Sequence, residues 1–181
     1  MEGRSGRASG GQLEQRLDLS TETSTRLAQA QSLVTASTLN LNEALTLLAG
    51  HEKRCRLGND TPSLVKVCEF SLQLAKDFGD EERLLATLTS LVSKRNQKTK
   101  AISAMVQKAF AWVLRVESGT YIPIDVSTAE EKRIRDNLVV ALRNITDGKI
   151  FLEAERARLT RALAVIKVCI YDHLLYPNGT L

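Results

Sequence analysis

The chain has 181 residues, 43% of them hydrophobic, 25% charged and only 4% aromatic, which is the balance of a globular domain with an aliphatic core. No window approaches 18 uninterrupted apolar residues, so the sequence offers no membrane span. The three cysteines, Cys55, Cys68 and Cys169, are odd in number and lack CxxC spacing, which argues against a disulfide framework or a zinc site and for a reducing compartment. The net charge of +4 is uneven. Met1 to Gly10 is rich in Gly, Ser and Arg without an apolar core, so residues 1–20 read as a disordered tail rather than a secretory signal.

Residues 21–167 read as a succession of amphipathic helices. A first helix is expected over Thr23 to Ser37, with Leu27, Ala30 and Val34 on one side. Asn40 or Asn42 caps the second, which carries Leu41, Ala44, Leu45 and Leu48 and ends near Gly58. Thr61 as cap with Pro62 following opens the third, which stops at Gly79. Asp80 caps the fourth, whose inward residues are Leu84, Leu85, Leu88, Leu91 and Val92. In the fifth, Ile102, Met105, Val106, Ala109, Phe110, Val113 and Leu114 form a single stripe with helical spacing up to a loop at Ser118. Thr128 and Glu131 make a capping box for the sixth, which Asp147-Gly148 ends. The seventh, Lys149 to Lys167, is apolar nearly all round and therefore calls for neighbours on more than one side.

Helices three and four, then five and six, make successive antiparallel pairs of roughly 40 residues, the size of common helical-repeat units. The fold class is thus all-α: an α-solenoid of antiparallel helix pairs, with a compact bundle as the alternative. After Lys167 the pattern loses its helical period, and residues 168–181 read as a divergent, irregular tail.

The residues offer little chemistry. His51-Glu52 begins a zinc-protease motif, but Cys55 stands where the second histidine belongs. Cys68 lies on an apolar stripe, whereas Cys55, among Lys53, Arg54 and Arg56, is placed for a lowered pKa. Trp112 sits at a core edge. No catalytic, cofactor-binding or metal-binding residue is assigned, and no cofactor is expected. Two charged groups remain. The first is a basic run with no acid from Lys94 to Arg115, led by Lys94, Arg95, Lys98 and Lys100. It is either a solvated helix face or a surface for phosphates or an acidic protein, and the lack of an RNA-binding signature or a stacking aromatic series speaks against nucleic acid. The second is Glu153, Glu155, Arg156 and Arg158, whose i,i+3 spacing suits helix salt bridges or contacts to a neighbouring subunit.

Two segments carry a family resemblance. They are Leu91-Val92-Ser93-Lys94-Arg95-Asn96-Gln97-Lys98-Thr99-Lys100-Ala101-Ile102 and Gly148-Lys149-Ile150-Phe151-Leu152-Glu153-Ala154-Glu155-Arg156-Ala157-Arg158-Leu159-Thr160. A fainter third is Glu52-Lys53-Arg54-Cys55-Arg56. From about Leu45 to Lys167 the chain resembles the amino-terminal part of the 26S proteasome non-ATPase regulatory subunit 12 family of PCI-type lid subunits. The resemblance implies a non-catalytic scaffold with an α-solenoid followed by a PCI winged-helix domain, before which this chain is truncated. It implies other lid subunits, the base ATPases and the core particle as partners, with no nucleic acid, membrane or small-molecule substrate. It also implies a place in cytoplasm and nucleus. The eight charged residues just named then become candidate interface. Ser118 to Val126 is longer than the family pattern, and a tail beginning at Val168 departs from it. Two rivals stand beside this reading: a free-standing helical adaptor for an acidic partner, and a truncated, non-assembling isoform.

Overall fold

A computed structural model of the chain describes residues 17–175. Among the described residues there are seven α-helices and one β-hairpin. The helices are α1 (Ser20–Ala36), α2 (Leu41–Leu57), α3 (Thr61–Phe78), α4 (Glu81–Val92), α5 (Thr99–Phe110), α6 (Ala129–Thr146) and α7 (Glu153–Leu175). Strands β1 (Leu114–Glu117) and β2 (Thr120–Pro123) lie between α5 and α6. The architecture is the expected helical-repeat-like, all-α one, with the hairpin as an addition. No described helix is long and apolar enough to cross a membrane.

The centre of the structure is α3. It packs against α1, α2, α4 and α5, and it buries Leu64, Val67, Cys68, Leu72, Leu74 and Ala75, more than one helical face can hold. Its start is set by Asp60, not by Thr61 as the sequence suggests. One Asp60 carboxylate oxygen accepts from the Ser63 N–H inside α3, and the other accepts from the Leu19 N–H at 2.8 Å. Asp60 is therefore both the helix cap and the tie that draws the start of α1 onto α3. Gly79 ends α3, and a Cβ there would lie 2.6 Å from the Ala75 carbonyl oxygen. Asp80 caps α4 through the Arg83 N–H at 2.8 Å, as expected.

The expected pairing holds for α3 and α4 but not for α5 and α6. Instead α5 packs chiefly on α3, while α6 packs chiefly on α7. The reason is the hairpin. The apolar stripe of the fifth helix outlasts the helix itself: α5 stops at Phe110, and Val113 and Leu114 enter the core from a turn and from β1. Ser118 and Gly119 have φ of 50° and 76°, so both turn residues are left-handed, the geometry that joins two strands in a tight hairpin. Tyr121 on β2 meets the Phe110 ring edge to face at 5.2 Å. Beyond it, the Thr128–Glu131 capping box opens α6 as expected.

Residues 168–175 continue α7, although the helical period fades after Lys167 and predicts an irregular tail over 168–181. No Gly or Pro stands between Lys167 and Pro177, so nothing in Val168 to Leu175 breaks a helix already nucleated. Of the tail expected over residues 1–20, Leu19 is buried and Ser20 opens α1, whereas residues 1–16, like the last six residues, lie outside the described residues. Nor is α7 enclosed on several sides. Leu159, Ala162 and Ile166 are buried, but Ala154, Ala157 and Val165 are exposed. Ile150 and Phe151 belong to a 3-10 turn before α7, and Ile150 is 90% exposed.

The hairpin turn gives a direct test. Because Gly119 is left-handed with open space around it, Gly119→Val is expected to destabilise by about 1–2 kcal/mol through backbone strain alone. Urea denaturation of the two proteins checks this.

Candidate interaction surface

The basic run leads to a buried acid. Glu52, on α2, has a side chain only 1% exposed, and such a carboxylate is tolerated only where charge and hydrogen bonds compensate its lost hydration. Here Arg56, one turn later on α2, donates Nε–H to Oε1 at 2.9 Å. Lys94, at the end of α4, donates Nζ to Oε2 at 3.0 Å. Gln97 donates Nε2 to Glu52 Oε1 at 3.2 Å and to the Leu91 carbonyl at 2.8 Å. The Arg56 guanidinium also reaches the Arg95 carbonyl at 2.7 Å, and the Lys98 ammonium donates to Asn59 Oδ1. The α4–α5 loop, with Asn96 at φ 60°, is thereby pinned to the end of α2.

This placement divides the first candidate group. Lys94 and Lys98 are engaged inside the molecule, so they are structural cations before they are anything else. Arg95 and Lys100 are exposed and available. Arg115, at the far end of the run, pairs with Glu117 in β1.

The second group is also rearranged. The expected i,i+3 pairs within α7 are not formed. Arg156 instead pairs with Asp147, after α6, at 2.9 Å, and Arg158 lies 4.5 Å over the Tyr121 ring. Both arginines thus tie α7 to its neighbours. Among the described residues, Glu153 and Glu155 form no ion pair, and they stand in the first turn of α7, where the helix dipole favours acids. The first group belongs to the α2–α4–α5 junction and the second to the junction of α6, the hairpin and α7.

A third cluster escaped the sequence reading. His51 is 3% exposed, and its Nε2 lies 2.7 Å from Thr23 Oγ1, while Nδ1 lies 3.7 Å from Glu22 Oε1 and has no hydrogen-bond partner. The order hydroxyl, imidazole, carboxylate is that of a nucleophile relay. Thr23 is only 1% exposed, however, and does not line the groove of about 660 Å³ that Glu22, Arg26, Gly50, His51 and Arg54 form between α1 and α2. The hydroxyl cannot meet a substrate there, so the cluster cross-links α1 to α2. Cys55 lies beside it at 4.0 Å from Thr23 Oγ1, and burial pushes its thiol up to about 11. This reverses the lowered pKa expected from its basic neighbours in sequence, whose side chains leave the buried sulfur behind. Cys68 is likewise buried and raised, to about 12. Trp112 sits at the core edge as expected, with Lys76 over its ring at 5.5 Å.

Comparison with known proteins bears on what these junctions belong to. The family model described as PSMD12/CSN4, N-terminal, matches residues 43–169. The chain belongs to this family. It is similar to 26S proteasome regulatory subunit rpn501 of Schizosaccharomyces pombe, at 34% identity over 145 residues, covering 80% of this chain and 30% of that protein. It is also 35% identical over 127 residues to 26S proteasome non-ATPase regulatory subunit 12 of Dictyostelium discoideum, covering 70% of this chain and 26% of that protein. Homolog A of that subunit in Arabidopsis thaliana matches with the same identity and coverage. The chain therefore spans less than a third of the length of these relatives. The PSMD12/CSN4 match takes in Glu52, Arg56, Lys94, Gln97 and Lys98 together, so two of the segments that carry the family resemblance are the two sides of one buried network.

Two outcomes follow. Glu52→Ala leaves Arg56, 13% exposed, and Lys94, 23% exposed, without their counter-ion, and should cost ~3 kcal/mol, read by chemical denaturation. For His51, burial holds the folded-state pKa below the ordinary 6.5, against a smaller opposing effect of Glu22. The unfolded chain therefore takes up the proton first as pH falls. The stability that His51 contributes is complete above pH 6.5 and declines below it, down to the folded-state pKa. His51→Gln should flatten that part of the stability–pH curve.

Proposed function

We propose that this chain serves as a non-catalytic scaffold in the lid of the 26S proteasome regulatory particle, contributing to its assembly and so to ubiquitin-dependent protein degradation. The observation that carries the reading is the set of relatives at 34–35% identity whose names are those of proteasome regulatory subunits. The fold supports it. A helical-repeat stack offers long exposed faces for other proteins, and the conspicuous charged groups hold helices together rather than surround a reaction site. The partners in this reading are other lid subunits, the base ATPases and the core particle, and the compartments are cytoplasm and nucleus. Within the candidate interface, Arg95, Lys100 and Glu153 are the exposed members, with Glu155 half-buried beside Glu153. Lys94, Lys98, Arg156 and Arg158 act from inside by holding the surfaces in place.

The test is affinity purification of the tagged chain from its own cells, with mass spectrometry of the proteins recovered. Lid and base subunits in comparable amounts are the expected result. Recovery of chaperones alone would overturn the scaffold role for this chain.

A further inference from the structure

The corner where α2 turns into α3 presents a surface that the Glu52 network leaves half free. Lys53, Arg56 and Leu57 share one side of α2 by their spacing of three and four. Lys53 is exposed, and Leu57, at the end of the helix, is 64% exposed. Leu17 lies across the next residue, Gly58. Its N–H donates to the Gly58 carbonyl at 3.0 Å, a Cβ on Gly58 would meet its Cδ1 at 3.0 Å, and Leu17 is still 52% exposed. Arg56 and Asn59 hold the α4–α5 loop to the same corner through the Arg95 carbonyl and the Lys98 ammonium. Two bare leucines are thus flanked by the exposed cations Lys53 and Arg95, while the Lys98 ammonium is held on Asn59. Glu52 is buried beneath this region and adds no negative group to the surface, whereas the exposed Asp18 follows Leu17 and accepts from the Ser20 N–H.

We propose that this corner docks an acidic protein segment carrying an apolar anchor. Leu17 and Leu57 would take the anchor and the exposed Lys53 and Arg95 the flanking carboxylates, an apolar centre with a charged rim. Charge selects this occupant over two nearer ones. The chain's own residues 1–16 carry Arg4, Arg7 and Arg16 against Glu2 and Glu14, and a second copy of the chain brings a further +4. Nucleic acid would satisfy the cations but would set phosphates against the leucines, with no aromatic ring among these four residues to stack a base. The set course of the loop fits a recognition role, because the backbone that carries Arg95 is already held by Arg56 and only the side chain has to be ordered on binding. The inference rests on the scaffold reading and names the chemistry of one partner.

The test is fluorescence anisotropy with the full chain and a labelled peptide of mixed Asp and Glu containing two leucines. A peptide with both leucines replaced by alanine and a labelled single-stranded RNA are run alongside. Leucine-peptide binding that weakens as salt rises, and about tenfold in each of Leu57→Ser and Arg95→Glu with unchanged melting curves, is expected. Equal binding of the alanine peptide, indifference to Leu57→Ser, tighter binding of the RNA, or no binding would overturn the proposal. Besides the chain itself, the assay contains no proteasome component. Its failure beside intact recovery of lid subunits would remove this surface alone, whereas loss of lid recovery would remove the scaffold reading.

Discussion

Glu52 carries its carboxyl group into a position with 1% exposure, and the arrangement of three elements follows from satisfying it. The carboxylate draws Arg56 down along α2, Lys94 across from the end of α4, and Gln97 in from the loop that follows. Gln97 then also occupies the Leu91 carbonyl, one of the orphan acceptors that every helix end exposes. A buried ion pair of this kind is a poor source of net stability compared with an apolar core, but removal of one member is severe. Its consequence here is positional: the α4–α5 connection, otherwise a basic loop free to wander, has a set course over the end of α2.

The same logic recurs at the other end of the molecule with softer contacts. Arg158 over Tyr121, Tyr121 against Phe110, and Arg156 on Asp147 join α7 to the hairpin, to α5 and to the end of α6. The hairpin acts as a spacer. By ending α5 at Phe110, it sends the chain back so that α6 pairs with α7 rather than with α5. Among the described residues, Val165 and Val168 on α7 and the Ile150–Phe151 turn are exposed.

Much of the helical part was legible in the residues. Asp80, Gly79 and the Thr128–Glu131 box mark helix ends through hydrogen bonds made within a few residues, so local sequence carries the information. The hairpin was legible in principle, since Ser118-Gly119 stands between Val116 and the β-favouring Thr120, Tyr121 and Ile122. It was hidden because Val113 and Leu114 extend the helical spacing of α5, and burial alone does not distinguish a helix that continues from a chain that turns and stays in the core. For the candidate interface, all eight charged residues were visible, but their roles were not. Lys94 and Lys98 read as surface because their partners, Glu52 and Asn59, lie 42 and 39 residues away.

What the sequence by itself determined, then, is whatever depends on neighbours within a turn or two: helical character, most caps, an aliphatic core, and the family to which the two charged segments belong. Tertiary structure alone decided which charges are free. Asp60 became a cap and a clamp because Leu19 arrives beside it, and Cys55 lost its expected acidity because the sulfur faces the core while Lys53 and Arg54 face water. Charge and exposure are set by what folds over a residue. A side chain's type says what it can do, but the distant segment packed against it determines whether it does so toward solvent or toward the chain itself.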